Sequence, residues 1–314
     1  MPRRRSSRPV SPLPQREGVD PVRLRLPPDP EGAWTTVRDH LVARYGRAVG
    51  VEWVDALLAG GGFVGEDGPV RPDDPYTEGR SVWFHRALPA EPRVPAEVGI
   101  VHRDAHLVVA DKPHFLATMP RGGHVAETAQ ARLRRDLGLP ALQPAHRLDR
   151  VTAGLVLFVV RPEERGAYQT MFRDRAVRKE YEALAVHDPS VELPTTVRSR
   201  IVKERGVLAA REEPGEPNSE SRVELIGVRD GIGRYRLLPR TGRTHQLRVH
   251  MNALGLPILD DPLYPVVREA GSEDFGRPLQ LLARVLEFTD PVTGGPRRFT
   301  SRLRLAQWPR SIHS

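Results

Sequence analysis

The sequence predicts an α+β fold, with a mixed, mostly antiparallel sheet in its larger C-terminal part and a small α/β module ahead of it. Three observations carry that expectation. Strand-like runs follow one another between Val98 and Pro239 with few helices among them, unlike the regular strand–helix alternation that builds a parallel sheet. Two short helical segments and a glycine run precede a lone strand near the N-terminus, and the proline-rich stretch 88–95 sets them apart from the rest. No repeat of 20–50 residues recurs along the chain.

Taken in order, residues 1–30 carry Arg3, Arg4, Arg5, Arg8, Arg16, Arg23 and Arg25 among repeated prolines, with few apolar residues. Such a composition buries too little surface to offset its ordering entropy and predicts a disordered basic arm. In the module 31–90, Trp34, Val37, Leu41, Val42 and Tyr45 fall at helical spacing, and a second helix at Trp53–Leu58 runs into Gly60-Gly61-Gly62, a run able to supply a left-handed cap. A strand at Arg80–Ala87 closes the module. The domain 91–314 opens with strands at Val98–His102 and Leu107–Asp111 around a turn at Asp104-Ala105. Further strands are expected at Gly154–Arg161, Arg178–Val186, Ser221–Val228 and Arg234–Pro239. Helices are expected at about 126–137, 163–173 and 244–254, the first ended by Gly138 and the last by Gly255.

The 314 residues hold 48 Lys and Arg against 40 Asp and Glu, a formal charge of +8, and Lys112, Lys179 and Lys203 are the only lysines. Arginine grips phosphate bidentately and stacks on bases, so a polyanionic partner fits this balance. The chain has no cysteine, which excludes disulfides, Cys-ligated zinc, iron–sulfur clusters and thiolate nucleophiles, and with them zinc deamination and thiolate-based uridine methylation. No uninterrupted apolar span of about 20 residues occurs, and a soluble, cytoplasmic chain that does not associate with membranes is expected.

Three motifs carry chemistry. His146-Arg147-Leu148-Asp149-Arg150-Val151-Thr152-Ala153-Gly154 stands just before the apolar strand Leu155–Val160, which places a carboxylate and two arginines on a loop at the edge of a buried strand. Lys179-Glu180-Tyr181 follows on a strand, where alternation puts Lys179 and Tyr181 on one face and Glu180 on the other. Gly242-Arg243-Thr244-His245-Gln246-Leu247-Arg248-Val249-His250 follows near a helix start. His146, His245 and His250 come from separate motifs without an H-E-x-x-H pattern, so structural hydrogen bonding is their default and no metal is expected.

In this order the three segments resemble the RluA family of RNA pseudouridine synthases, with its H-R-L-D-x-x-T-S-G-L signature, its K-x-Y strand and its G-R-T-H-Q-[IL]-R-V-H segment. Leu107–Pro113 resembles the family's strand ending in Lys-Pro, Pro257–Tyr264 its late turn and Leu281–Pro291 its closing strand, so that the likeness covers roughly residues 97–305. Ala153 replaces the usual Ser, Phe115 and Asp260 stand where glycines are common, Pro265 replaces another glycine, and Leu282 replaces a frequent His. These departures bear on the loops around the RNA more than on the reaction.

The resemblance implies a catalytic domain of the pseudouridine synthase type and site-specific isomerisation of uridine in structured ribosomal or transfer RNA. RNA is then the partner, no cofactor is needed because the reaction is redox-neutral and loses no atom, and the chain is expected to act as a monomer. The 31–90 module is similar, weakly, to the small RNA-binding domain often fused ahead of such enzymes. By the same resemblance Asp149 is the catalytic carboxylate, whether it attacks C1′, adds to C6 of the base or abstracts a sugar proton. Such a group must stay ionised near phosphates, which a paired arginine favours; Arg248 is the first candidate and Arg243 the second. Tyr181 offers a ring to stack on the extruded base and a phenol near C5. Arg147, Arg150, Lys179, Arg243 and His245 are the expected RNA contacts, Arg147 being the one placed at the displaced nucleotide, and the loops around Pro120–Glu127 and Glu204–Ser219 are expected to set the substrate. The rival class is a non-catalytic RNA-binding protein or folding chaperone, and a nucleoside hydrolase built on Asp149 would need a second acid that neither motif supplies.

Overall fold

The computed structural model describes residues 9–86, 91–268 and 274–308. The chain forms two compact units that divide between residues 90 and 91.

In the first unit, β1 (Val22–Arg25), β2 (Phe63–Gly65), β3 (Gly68–Pro69) and β4 (Ser81–Phe84) form an antiparallel sheet in the order β1-β4-β2-β3. The first helical segment is α1 (Val37–Leu41), capped by Thr36 and Asp39 reciprocally, and it passes through a π-helical turn into the short α2 (Arg47–Val49). The second is α3 (Val51–Ala59). After it Gly61 takes φ 65°, and a Cβ on Gly62 would lie 2.6 Å from the Leu57 side chain, so the glycine run serves both the turn and the close packing behind it.

Strand β1 corrects the expectation of an arm disordered through residue 30. The alternation Val22-Arg23-Leu24-Arg25-Leu26 buries Leu24 and Leu26 beside Val37, Val54, Phe63 and Phe84, while Arg23 lies over the Trp83 ring at 5.9 Å. Two buried leucines and four paired residues against β4 are enough to order the segment. Arg3, Arg4, Arg5 and Arg8 of that arm lie outside the described residues, as do Ala87 and residues 88–90 of the proline-rich stretch.

The second unit is built on one large sheet of eleven strands. Its strands are β5 (Gly99–Arg103), β6 (Leu107–Lys112), β7 (Gln143–Pro144), β8 (Ala153–Val159), β9 (Arg178–Val186), β10 (Thr195–Val202), β11 (Arg211–Glu213), β12 (Ser219–Arg229), β13 (Ile232–Pro239), β14 (Leu281–Thr289) and β15 (Pro296–Thr300). Their order is β11-β10-β12-β13-β9-β14-β8-β6-β5, with β7 on β8 and β15 on β14. Strands β8 and β14 run parallel and the other pairs antiparallel, which is the mixed, mostly antiparallel sheet the sequence predicts. The helices α4 (Ala129–Leu137), α5 (Arg165–Arg173) and α6 (Gln246–Ala253) fall in the three predicted windows. Gly138, at φ 64°, ends α4, and Gly255, at φ 74°, follows α6. Strands β7, β10, β11 and β15 are additions to the predicted set.

Two apolar clusters flank the middle of the sheet. One joins Leu107, Leu155, Leu157 and Val159 to Tyr168 and Met171 of α5; the other joins Ala183, Tyr235 and Leu237 to Leu247 and Met251 of α6. Their strands meet where β8 and β14 pair in parallel, with Gly154 opposite Ala283. A Cβ there would lie 2.3 Å from the Ala283 carbonyl oxygen, and the residue takes φ 112°. Ala153, beside it, is fully buried against Leu184, Leu282 and Leu305, an apolar seat that suits alanine in place of the family's serine. No helix of the described residues is long and apolar enough to cross a membrane.

Replacing Gly154 by alanine adds both a backbone clash and a left-handed penalty, and is expected to cost more than about 3 kcal/mol of stability. Gly255→Ala, where φ is positive and a Cβ has open space, is expected to cost about 1–2 kcal/mol. Urea unfolding of the two variants checks the ranking; similar midpoints would contradict it.

Candidate active site

The first motif ends in a tight turn. Thr152 N donates to Asp149 O at 3.1 Å, so Asp149 takes the first position of a β-turn, where its short side chain is favoured, and β8 starts directly after it. The segment 112–118 wraps this turn. Buried Lys112 donates its ammonium hydrogens to Pro113 O (2.9 Å), Leu116 O (2.7 Å) and Arg150 O (3.1 Å). His114 Nδ1 donates to Val151 O at 2.7 Å, and Thr118 Oγ1 both donates to Leu148 O and accepts from Leu148 N. Burial pulls the Lys112 pKa down to about 7 against the opposing pull of the Asp149 charge.

The third motif is locked by its glutamine. Gln246 Oε1 accepts from Thr241 Oγ1 and Arg243 N, and its amide donates to Glu220 O and Ser221 Oγ, which pins the loop to β12. His245, at φ 56°, is a non-glycine residue held left-handed at the start of α6. One helical turn on, Arg248 is 2% exposed and forks onto fully buried Asp261, with Nε–Oδ2 2.7 Å and Nη2–Oδ1 2.6 Å. Asp261 also accepts from Leu263 N and Tyr264 N, and the Tyr264 ring lies 5.2 Å from the guanidinium carbon.

Arg248 thus has a second carboxylate that the sequence did not announce, and only Nη1 is turned to Asp149, 3.7 Å from Oδ2. Arg243, the other candidate partner, instead donates Nε to Asn218 O at 3.2 Å. His245 Nε2 lies 4.0 Å from the same Asp149 oxygen. The Tyr264 hydroxyl gives its hydrogen to Ala210 O, so His245 Nδ1 donates to Tyr264 Oη at 3.0 Å and Nε2 is the nitrogen left to face Asp149. Burial lowers the His245 pKa, and the Asp149 charge opposes that shift.

These elements enclose a cleft of about 110 Å³ lined by Asp149, Tyr181, Arg248, Arg147, Lys179, Arg243 and His245 together with Pro239 at the end of β13 and Leu281 at the start of β14. Seven of the eight residues singled out in the sequence therefore meet in one place. Arg150 is the exception: it lines a neighbouring cavity and donates to Phe115 O at 3.2 Å. On β9, Lys179 and Tyr181 both face the cleft, and Lys179 donates to Thr241 O at 3.1 Å. Burial and the Asp149 charge raise the Tyr181 pKa far above that of a free phenol. Among the described residues no group of three His, Asp or Glu side chains could hold a metal ion.

Sequence reasoning missed Lys112, Thr118 and Asp261. A lysine closing an apolar strand before proline was a signal for the first; Asp261 falls within the late-turn likeness Pro257–Tyr264, but its pairing with Arg248, 13 residues away, and that of Thr118 with Leu148, 30 residues away, are not marked by any local pattern. Two of the departures from glycine, Phe115 at φ 65° and Asp260 at φ 57°, are left-handed, the conformation that favours glycine at such positions.

Residues 106–253 match the family described as RNA pseudouridylate synthase. The dual-specificity RNA pseudouridine synthase RluA of Pasteurella multocida is 35% identical over 207 residues, which span 62% of this chain and 88% of that protein. The mitochondrial tRNA pseudouridine(32) synthase of Saccharomyces cerevisiae is 30% identical over 185 residues, 57% of this chain and 40% of the yeast protein. Among solved structures, human RNA pseudouridylate synthase domain containing 1 shares the fold, with a TM-score of 0.52 at 24% identity over 69% of this chain and 94% of that one.

Two predictions follow from the geometry. Asp261→Asn leaves the buried Arg248 charge without its partner and is expected to cost about 3–5 kcal/mol, read as a lowered urea midpoint; a midpoint within experimental error of wild type would contradict it. Burial holds the pKa of His114 at about 4, of His146 at about 3 and of His250 at about 4, so each binds a proton more readily unfolded than folded. Their neutral forms then contribute stability above pH 6.5 that is lost as pH falls toward 4, at up to about 1.4 kcal/mol per proton per pH unit. Calorimetry at pH 5 should find protons taken up on unfolding, and no uptake would refute the assignment.

Proposed function

Because the chain belongs to the RluA family of RNA pseudouridine synthases, we propose that it converts one uridine of a structured RNA to pseudouridine, with Asp149 as the carboxylate that acts on the flipped-out nucleotide. The observation that carries this reading is the position of Asp149: its carboxylate is open to the cleft, with the Arg248 guanidinium 3.7 Å away. The reaction breaks N1–C1′, turns the uracil and joins C5 to C1′, and the C5 proton is finally lost while N1 gains one. A carboxylate meets the positive charge or covalent bond that this sequence requires, and Arg248, held by Asp261, keeps it oriented without occupying its oxygens.

Tyr181 packs against the base. Its raised pKa keeps the phenol protonated near neutral pH, which favours stacking and hydrogen-bond donation over proton removal. Arg147 is exposed at the mouth of the cleft and takes the phosphate or the space vacated when the nucleotide swings out, at a cost of a few kcal/mol recovered through such contacts. Lys179, Arg243 and His245 line the same wall and meet the RNA backbone near the target. The substrate we propose is a ribosomal or transfer RNA; the Pasteurella relative is named for dual specificity on RNA and the yeast one for a transfer RNA position, and the latter name supports the transfer RNA reading.

The test maps pseudouridine by carbodiimide chemistry in total RNA from cells with and without the gene, complemented with wild type or Asp149→Asn. A uridine whose modification returns only with wild type is expected. On that RNA in vitro, Asp149→Asn should bind as wild type while product formation falls at least about a thousandfold, and Arg147→Ala should weaken binding about tenfold. Product formation by Asp149→Asn would remove its assigned role; binding without product by the wild-type protein would favour a non-catalytic RNA-binding protein.

A further inference from the structure

A second cavity, of about 180 Å³, lies on the far side of Arg147 and Leu148, which line it and the cleft alike. Its inner wall is fixed by the paired Thr118–Leu148 hydrogen bonds and by bonds from Ala129 N to Ala117 O and Gln130 N to Thr118 O, which tie it to the start of α4. Its outer wall is a hairpin tip in which Arg121 and His124 exchange backbone hydrogen bonds across Gly122-Gly123, and Gly122 takes φ 58°.

The chemistry of this cavity is one-sided. Arg121, Arg147 and Arg150 supply guanidinium groups, His124 an imidazole, and no carboxylate lines it. The guanidinium groups of Arg121 and Arg147 have no hydrogen-bond or ion-pair partner among the described residues. Beside them Met119 is 38% exposed, an apolar side chain without cover amid three cations. An exposed apolar side chain edged by the guanidinium groups of Arg121 and Arg147 matches an unstacked nucleobase and its phosphate: the base lies on Met119 or an arginine plane, and the anion is forked by arginine.

We propose that this cavity is a second nucleotide subsite, which takes the base adjoining the target uridine and contributes sequence specificity. The inference rests on the reading of the main cleft as the uridine site. The two spaces share a wall made by the consecutive residues Arg147 and Leu148, and neighbouring nucleotides of one strand can reach both sides of it. Arg147, bordering both, would hold the phosphate region between them.

In the RNA identified by the mapping experiment, each nucleotide flanking the converted uridine is replaced in turn by an abasic ribonucleotide. With wild-type protein, one of these replacements is expected to lower kcat/KM about tenfold. In Met119→Ala and in His124→Ala, both in the cavity lining, the same replacement should cost less than about threefold, because the contact is already gone. If neither flanking base matters to wild type, or if the penalty stays the same in both variants, the subsite is refuted while the uridine site stands. If no uridine is converted in the mapping experiment, the parent reading fails and the subsite with it.

Discussion

The buried ammonium of Lys112 is the interaction on which the site depends. A lysine with no solvent contact carries a large desolvation cost, and here its three hydrogens reach three carbonyl oxygens, one of which belongs to Arg150 in the turn that holds Asp149. The lysine therefore joins the end of β6, the segment that follows it and the turn before β8 at a single point. His114 and Thr118 add bonds to Val151 and Leu148 on either side, so every residue flanking the carboxylate is tethered by its backbone while the carboxylate itself is not. Rigidity is placed in the main chain, and reactivity is left in the side chain.

The same division recurs opposite Asp149. Arg248 is immobilised through two nitrogens by Asp261 and offers the third, and His245 is oriented through Nδ1 by Tyr264 and offers Nε2. Both lie 3.7–4.0 Å from one Asp149 oxygen, near it but too far to hold it in a direct hydrogen bond. An oxygen already hydrogen-bonded would have to release its partner before meeting a sugar or a base. Groups oriented from behind avoid that reorganisation, which is the sense in which such a cleft is prepared for developing charge.

What could be read in advance follows from where the physical signal is local. Apolar periodicity and glycine caps located the helices, and strand β9 spans the predicted Arg178–Val186. Strands β10 and β11 carry Thr, Ser, Arg and Glu with half-exposed faces, so their alternation has little apolar contrast and loop chemistry masks it. Strand β1 did carry a period of two, but its arginines and neighbouring prolines outweighed two leucines in a reading based on composition. In the site, motif residues on strands and at helix starts came together as their order suggested. The pairing of Asp261 with Arg248 and the outward turn of Arg150 were hidden, because each depends on a contact made only when distant segments pack.

Charge distribution connects the site to the whole sheet. Along β10, β12, β13 and β14 arginines are matched by carboxylates, as in Arg198–Glu220, Arg236–Glu224, Arg234–Glu182 and Arg284–Glu182. The exposed pairs among these contribute little stability, but together the pairs neutralise charge along the sheet. Around the cleft and its neighbouring cavity the pattern changes: Arg243 finds a carbonyl, and the guanidinium groups of Arg121 and Arg147 find no partner among the described residues. The formal +8 of the chain is therefore less informative than its placement. A polyanion approaching the second unit meets compensated charge over much of the sheet and guanidinium groups free of carboxylate partners at Arg121 and Arg147, beside the cleft that Asp149 lines; on the proposed reading, that field steers the RNA toward the cleft.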